Sequence, residues 1–341
     1  MPARAHFSSE ELDQVLSRYD IGRVEHVKPL SIGSRRASKM VIISDRGKFL
    51  LKRRPKSKVV LERLAFAHVV QTYLAEMAFP VTSLMTTRGG NKTILQLENH
   101  IYECFKFVTG ASYDGSGEAT VDAGRQLANL HGHLADFGWQ YKPRSGSFHD
   151  SSVVRTQLKK AAAEETSSRN KKLQETAEAL TTLYNNCSAY AGELGFDSWP
   201  EHVVHGDWHP GNMLFCDRKL IAVLDFDSIR LAPMVTDLAN GMLQFSMVTG
   251  SPNPADWPEY LDQAKLVRFL YGYRQVIEPE RNELESLPCL MIEAMIAEAI
   301  VSMASAGSFG RSAAADLLKM VQRKAEWLNN NRKKLTEAMQ G

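Results

Sequence analysis

The segment His205-Gly206-Asp207-Trp208-His209-Pro210-Gly211-Asn212, followed by Leu224-Asp225-Phe226-Asp227, sets two carboxylates and a carboxamide at fixed spacing. Asn212 comes five residues after Asp207, and Asp225 eighteen after it. Val203-Val204 predicts a short strand ahead of the segment, so Asp207 falls on a tight loop closed by Pro210-Gly211. Asn212 to Phe215 and Leu220 to Leu224 predict a hairpin turning at Asp217-Arg218-Lys219. Asp207, Asn212 and Asp225 then come from one loop and one hairpin end, and can converge. Phosphoryl transfer needs little else: a carboxylate to orient or deprotonate a hydroxyl, and hard oxygen donors for Mg²⁺. A zinc site of His202, His205, Asp207 and His209 is the competing reading. Its spacing suits a helix, which Val203-Val204, Gly206 and Pro210 oppose, and it leaves Asn212 and Asp225 without a task.

The N-terminal part reads as strands with one long helix. Ser9 to Tyr19 predicts a helix capped by Ser8 or Ser9. Strands are expected at Val24 to Ile32, Lys39 to Ser44 and Lys48 to Arg53, with Asp45-Arg46-Gly47 as a hairpin turn. Ser31, Gly33 and Ser34 lie in a small polar loop between the first two strands, where backbone N–H groups can cover phosphates. Lys52 on the third strand either belongs to a solvated basic edge or points inward to nucleotide phosphates. An inward lysine needs a carboxylate, and Glu62, early in a helix expected over Lys58 to Met77, is the nearest candidate. Further strands are expected at Val81 to Thr86, Lys92 to Leu97 and His100 to Val108. The stretch from Glu103 through Phe105 to Gly110 is a natural hinge whose backbone can meet a purine edge.

From Glu118 onward the pattern is helical. Two helices are expected between Ser151 and Leu194, broken near Ser167-Asn170. After the central segment, helices are expected at Val235 to Val248, Pro258 to Ile277, Leu287 to Ala306 and Ser312 to Met339.

On these residues the chain resembles the aminoglycoside phosphotransferase and choline kinase-like family, small-molecule kinases with a protein-kinase-like fold. The matching residues are His205-Gly206-Asp207, Asn212 and Asp225, in the order and spacing of the protein-kinase catalytic loop and metal turn. Gly206 stands where protein kinases carry arginine, and Asp227 where Asp-Phe-Gly ends in glycine. Both departures fit the small-molecule branch. The resemblance spans nearly the whole chain. It implies an α+β, bilobal protein-kinase-like fold: an N-terminal antiparallel five-stranded sheet plus helix over 1–108, and a mostly helical catalytic and substrate-binding lobe over 109–341. It implies a phosphotransferase that uses ATP (or GTP) and Mg²⁺ to phosphorylate the hydroxyl of an amino alcohol, aminoglycoside or sugar-like molecule. Asp207 is then the base, Asn212 and Asp225 the metal ligands, Lys52 the phosphate contact and Glu62 its helix partner. Asp237 and His205 become scaffold around the loop. The alternatives are a Ser/Thr protein kinase of the same superfamily and a non-catalytic nucleotide-binding module. The short link from Asp227 to Val235 leaves no room for a long activation segment.

The resemblance places the acceptor between the catalytic loop and the C-terminal helices, among Trp208, His209, Asp227, Tyr271, Arg274, Glu293 and Glu298. Glu293 and Glu298 are separated by roughly 140° on a helix, so they flank opposite edges of the Met291, Met295 and Ala299 stripe. Glu298 is the better pocket carboxylate. For Glu293 a solvated edge or an ion pair with Arg274 or Arg281 is expected.

Composition adds bounds. With 41 basic and 39 acidic residues, net charge is +2, which gives no field for nucleic acid or an anionic membrane. No run approaching the ~20 apolar residues of a membrane helix is expected. Cys104, Cys187, Cys216 and Cys289 fit neither a zinc nor a disulfide pattern and read as buried thiols. A cytoplasmic monomer or homodimer is the expectation.

Overall fold

The structure is a computed structural model that describes residues 7–30, 37–138, 143–163, 168–305 and 312–340. Ser31, Gly33 and Ser34 lie outside the described residues. The chain divides into two compact units. The first comprises Met1–Ala111, Met213–Cys216 and Ile221–Asp227; the second comprises Ser112–Asn212, Asp217–Leu220 and Ser228–Gly341.

In the first unit α1 (Ser9–Leu16) opens with a capping box. Ser8 Oγ accepts from the Glu11 N–H at 3.0 Å, and the Glu11 carboxylate accepts from the Ser8 N–H at 3.3 Å. Strands β1 (Val24–Pro29), β2 (Ser38–Ser44), β3 (Gly47–Pro55), β4 (Leu95–Leu97) and β5 (His100–Lys106) form one antiparallel five-stranded sheet in the order β1-β2-β3-β5-β4. The long α2 spans Leu61–Glu76. Side chains alternate across a strand, and β3 uses both faces. Phe49 and Leu51 enter a core with Val15, Leu16 and Tyr19 of the α1 region. Arg53, on that same face, donates to Glu11 at 2.8 Å and so ties α1 to the sheet. The opposite face carries Leu50, Lys52 and Arg54.

In the second unit α3 (Gly117–Leu134) is capped by Ser116, and α4 (Ser152–Ala162) and α5 (Ser168–Glu193) follow. The short β6 (His202–Val204) leads to the loop that carries Asp207. The chain then returns to the first unit through β7 (Met213–Cys216) and β8 (Lys219–Val223), whose turn uses left-handed Asp217 and Arg218 at φ of 47° and 63°. Ala111 bridges Phe215, and the Val223 N–H donates to Pro80 O at 2.7 Å. β9 (Arg230–Ala232) pairs with β6. The helices α6 (Met234–Ser246), α7 (Gln263–Arg274), α8 (Arg281–Ser305), α9 (Ser312–Asn330) and α10 (Arg332–Gln340) complete the unit.

Several expectations change. Residues 81–86 form no ladder strand; Val81 and Leu84 make only isolated bridges. The helix expected from Pro258 starts at Gln263, where Asp262 caps it by accepting from the Lys265 N–H. The last expected helix splits at Asn331 into α9 and α10. Cys216 is exposed, whereas Cys104, Cys187 and Cys289 are buried free thiols. Contrary to the sequence expectation, α8 is long and apolar enough to cross a membrane, but 72% of its most apolar window is buried inside the protein. It is the central helix of a core, packed by α5, α6 and α9.

Helices α3 and α7 meet backbone to backbone. A Cβ at Gly124 would lie 2.0 Å from Phe269 O, and one at Gly272 would lie 1.9 Å from Val121 O. Neither backbone oxygen can yield locally. Gly124→Ala is therefore expected to destabilise the protein by at least about 2 kcal/mol, as overpacking does. Denaturant unfolding checks this, and a midpoint unchanged from wild type would contradict the close approach.

Candidate active site

The first unit gathers acids and bases on the Lys52 face of its sheet. Register places Lys52 between Lys39 of β2 and Glu103 of β5. Lys52 Nζ lies 3.3 Å from Asp225 Oδ1 and 3.3 Å from Asp227 Oδ2. Arg54, two residues along β3, donates to both oxygens of Asp227 at 2.5 and 2.7 Å, and through Nε to Glu103 at 2.5 Å. His68 of α2 reaches Glu103 Oε1 at 3.1 Å, and its other ring nitrogen meets the Thr93 hydroxyl at 2.8 Å. Burial alone would raise the Glu103 carboxyl, but the His68 hydrogen bond and the Lys52 and Arg54 charges hold it low. Burial acts likewise on Asp227, where Arg54 and Lys52 prevail and keep it well below the usual carboxylate range. Asp225 adopts a left-handed backbone at φ 59°, a conformation that costs a non-glycine residue roughly 1–2 kcal/mol. Such strain persists where the surroundings fix it and clusters at functional turns. Phe226 is buried beside it.

The second unit builds the loop from His205 to Asn212 around a buried acid. Asp237 of α6 accepts from the His205 N–H at 2.6 Å and from the Gly206 N–H at 2.8 Å. His131 Nε2 of α3 lies 3.5 Å from the same carboxylate, and its Nδ1 meets the Tyr273 hydroxyl at 2.8 Å. Gly206 has φ 75°, and a Cβ there would sit 2.5 Å from Ser228 O and 3.0 Å from Arg230 Nε. Arg230 of β9 donates to Gly206 O at 3.0 Å. The loop therefore requires glycine at 206, which gives a steric reason for the departure from arginine.

Asp207 is half-buried at the loop's tip. The Asn212 amide NH₂ donates to Asp207 O at 3.2 Å and to Asp207 Oδ2 at 3.0 Å. With both donors turned to Asp207, the amide oxygen of Asn212 remains available as a hard ligand. His209 Nε2 is 3.6 Å from Asp207 Oδ2, and His209 Nδ1 accepts from the Gly211 N–H. Burial raises the Asp207 carboxyl, yet the histidines and Asn212 outweigh it and keep it ionised at neutral pH. Glu298 of α8 is the exposed residue in an otherwise buried stretch of that helix. It accepts from Gln244 at 2.5 Å. Burial and the nearby Asp207 charge push its carboxyl up to about 7.

Residues 26–278 match the profile of the phosphotransferase enzyme family. The chain belongs to that family. No curated protein matches it in sequence. Similar solved structures include an aminoglycoside phosphotransferase from Alicyclobacillus acidocaldarius, 14% identical, covering 99% of this chain and 98% of that one at a TM-score of 0.71. The microcompartment-associated aminopropanol kinase is 14% identical, with 96% and 99% covered and a TM-score of 0.70. An amicoumacin kinase in complex with AMP-PNP, Ca²⁺ and Ami is 13% identical, with 97% and 94% covered and a TM-score of 0.69. These likenesses show the protein-kinase-like α+β fold.

Several residues of this phosphotransferase differ from their expected places. Lys52 meets Asp225 and Asp227, while Glu62 is exposed at the start of α2. The helix contributes His68, and the buried carboxylate beside Lys52 is Glu103, whose side chain meets His68 and Arg54. Phe105 lies on the same sheet face, opposite Leu50. Trp208 is fully buried in the second unit, edge-on to His205 and close to Gly241, so it faces no substrate. Asp227 is occupied by Lys52 and Arg54. Arg274 pairs with Glu278 and caps Met339 O, and Tyr271 is 61% exposed on α7. Glu293 is neither solvated nor paired with Arg274. It is fully buried, accepting from His149 at 2.8 Å and from Ser188. The zinc alternative finds no support: among the described residues no group of three or more His, Cys, Asp or Glu could hold a metal ion. A cavity of about 440 Å³ between α1 and β1, lined by Leu12, Leu16, Tyr19 and Val27, lies on the other face of the sheet from Lys52.

Sequence reasoning missed Arg54, His68, Arg230 and Gln244. Arg54 was legible in principle, since it stands two residues from Lys52 and shares its face.

Asp237 is held ionised despite full burial, because the His131 hydrogen bond and the His131, His205 and Arg230 charges outweigh the burial penalty. Its carboxyl is lowered on folding, so its stabilisation is present above about pH 4. It is lost as pH falls through the depressed folded value. Asp237→Asn turns one acceptor into an NH₂ that faces a backbone donor, and is expected to cost about 3–5 kcal/mol. Urea melts across pH 3–7 check both points: the variant should lose less stability on acidification than wild type. An equal acid dependence would contradict the role of Asp237.

Proposed function

We propose that the protein transfers the γ-phosphate of ATP or GTP to a hydroxyl group of a small, amine-bearing molecule. The observation that carries this reading is the arrangement around Asp207: an ionised carboxylate, fixed by Asn212, beside a second carboxylate at Glu298 that makes no ion pair among the described residues. In the proposed reaction the acceptor oxygen bonds to the γ-phosphorus and the bond to the bridging oxygen of the nucleoside diphosphate breaks. Asp207 orients the hydroxyl and takes its proton. Lys52 binds the phosphates, and Arg54 and Glu103 fix its surroundings. Asn212 offers an amide oxygen and Asp225 a carboxylate, each a hard donor of the kind that would hold Mg²⁺. Such an ion, when bound, neutralises phosphate charge.

Glu298 supplies the substrate class. A carboxylate raised to about 7 gains from a cation placed against it. An aminium on the acceptor fits that need, while Gln244 holds the carboxylate in place. The aminopropanol kinase among the structural neighbours has an amino alcohol in its name, which agrees with this reading. Only Ser228, Ile229, the three residues of β9 and Pro233 lie between Asp227 and the start of α6 at Met234, so the site has no long segment to be ordered by modification.

Two outcomes follow. Asp207→Asn should lower kcat by roughly 10²–10⁴-fold while nucleotide binding persists; unchanged turnover would remove Asp207 from the reaction. For an amine-bearing acceptor, kcat/KM should rise as pH passes through about 7, because Glu298 becomes charged there. Glu298→Gln should abolish that rise and leave acceptors without an amine unaffected. A profile identical to wild type in the variant would separate Glu298 from acceptor binding.

A further inference from the structure

A second lysine, Lys39, stands directly opposite Lys52 on the neighbouring strand. The register across β2, β3 and β5 makes two rows on one sheet face. One row is Val41, Leu50 and Phe105. The next is Lys39, Lys52 and Glu103. An apolar bed thus adjoins a charged line, two residues or roughly 7 Å along the strands.

Within the charged row Lys52 has a buried carboxylate on one side and Lys39 on the other. Like charges directly opposite on neighbouring strands destabilise a sheet. The usual reason for a strand lysine, protection of an exposed edge, is absent, because β2 is interior. Lys39 is half-buried rather than extended into solvent. Among the described residues no carboxylate lies within ion-pair distance of it, whereas Lys52 and Arg54 take Asp225, Asp227 and Glu103. Asp225 and Asp227 lie within electrostatic reach of Lys39 but are already engaged. A cation held against repulsion, in a half-buried place beside the phosphate lysine, is matched by an anion that arrives from outside.

We propose that Lys39 is a second phosphate-binding residue. Its ammonium donates to an oxygen of the nucleotide polyphosphate on the side of Lys52 opposite Glu103, so that lysines of adjacent strands grip the phosphate tail while the base rests toward Val41, Leu50 and Phe105. The inference rests on the reading of Lys52 as the nucleotide site.

Calorimetric titration of the full chain with ATP, with and without Mg²⁺, and with adenosine tests it. Lys39→Met is expected to weaken ATP binding roughly tenfold or more, the size of a lost charge-assisted hydrogen bond, with adenosine binding unchanged. Lys39→Arg should retain ATP affinity within about threefold. Without nucleotide, Lys39→Met should melt at or above the wild-type temperature, since repulsion is relieved; this also verifies that the variant folds. Lys39→Gln serves the same comparison if the methionine variant does not fold. Wild-type ATP affinity in Lys39→Met, or equal losses for ATP and adenosine, would overturn the role of Lys39 alone. Failure of the wild-type chain to bind ATP at all would overturn both this proposal and the nucleotide reading beneath it.

Discussion

The loop that carries Asp207 has its shape because one buried carboxylate accepts from two consecutive backbone N–H groups. Asp237 binds His205 and Gly206 through both oxygens, and a buried acid is stable only when its charge is met in this way. Much of the second unit supplies the compensation. His131 comes from α3, Tyr273 holds His131 from α7, and Arg230 comes from β9. The close α3–α7 contact through Gly124 and Gly272 is therefore also a requirement of the loop, since it sets where His131 and Tyr273 meet.

The acids of the protein divide by whether the fold satisfies them. Asp237, Glu293 and Glu103 are buried, with hydrogen bonds from backbone, hydroxyl, imidazole or guanidinium donors. They are structural anchors. Asp207 and Glu298 are different: each keeps access to solvent, and among the described residues Glu298 accepts from a neutral amide alone. Folding leaves the pair incompletely neutralised, and that residue of negative charge is what a cationic acceptor would answer.

How much of this was legible follows from the physics of each residue. The contact between Asp207 and Asn212 was legible because Pro210 and Gly211 close the loop between them and so fix the spacing. The helical angle between Glu293 and Glu298 correctly sent them to different sides of α8, but angle alone could not say that Glu293 enters the core. That depended on His149 and Ser188, 144 and 105 residues away in sequence. Trp208 misled because its neighbour Asp207 is open, whereas the loop turns the indole toward Gly241. The partner of Lys52 was sought on the helix, where Glu62 stood ready. Its ion-pair partners are instead Asp225 and Asp227, far along the chain, while strand register, which a single sequence expresses weakly, sets Glu103 beside it on the sheet. An acid flanked by Tyr102 and Cys104 in an otherwise apolar strand was the available sign.

Register also explains why the first unit carries so many charges without strain in its core. Alternation sends Phe49 and Leu51 to the α1 side and Lys52 and Arg54 to the other, so one strand serves a hydrophobic core and an ionic face at once. A slip of one residue would exchange the two sets. The apolar core therefore fixes the register, and the register fixes the ionic row. Stability of the α1 side and chemistry of the Lys52 side are not separate features of β3: burying Leu51 is what points Lys52 at Asp225.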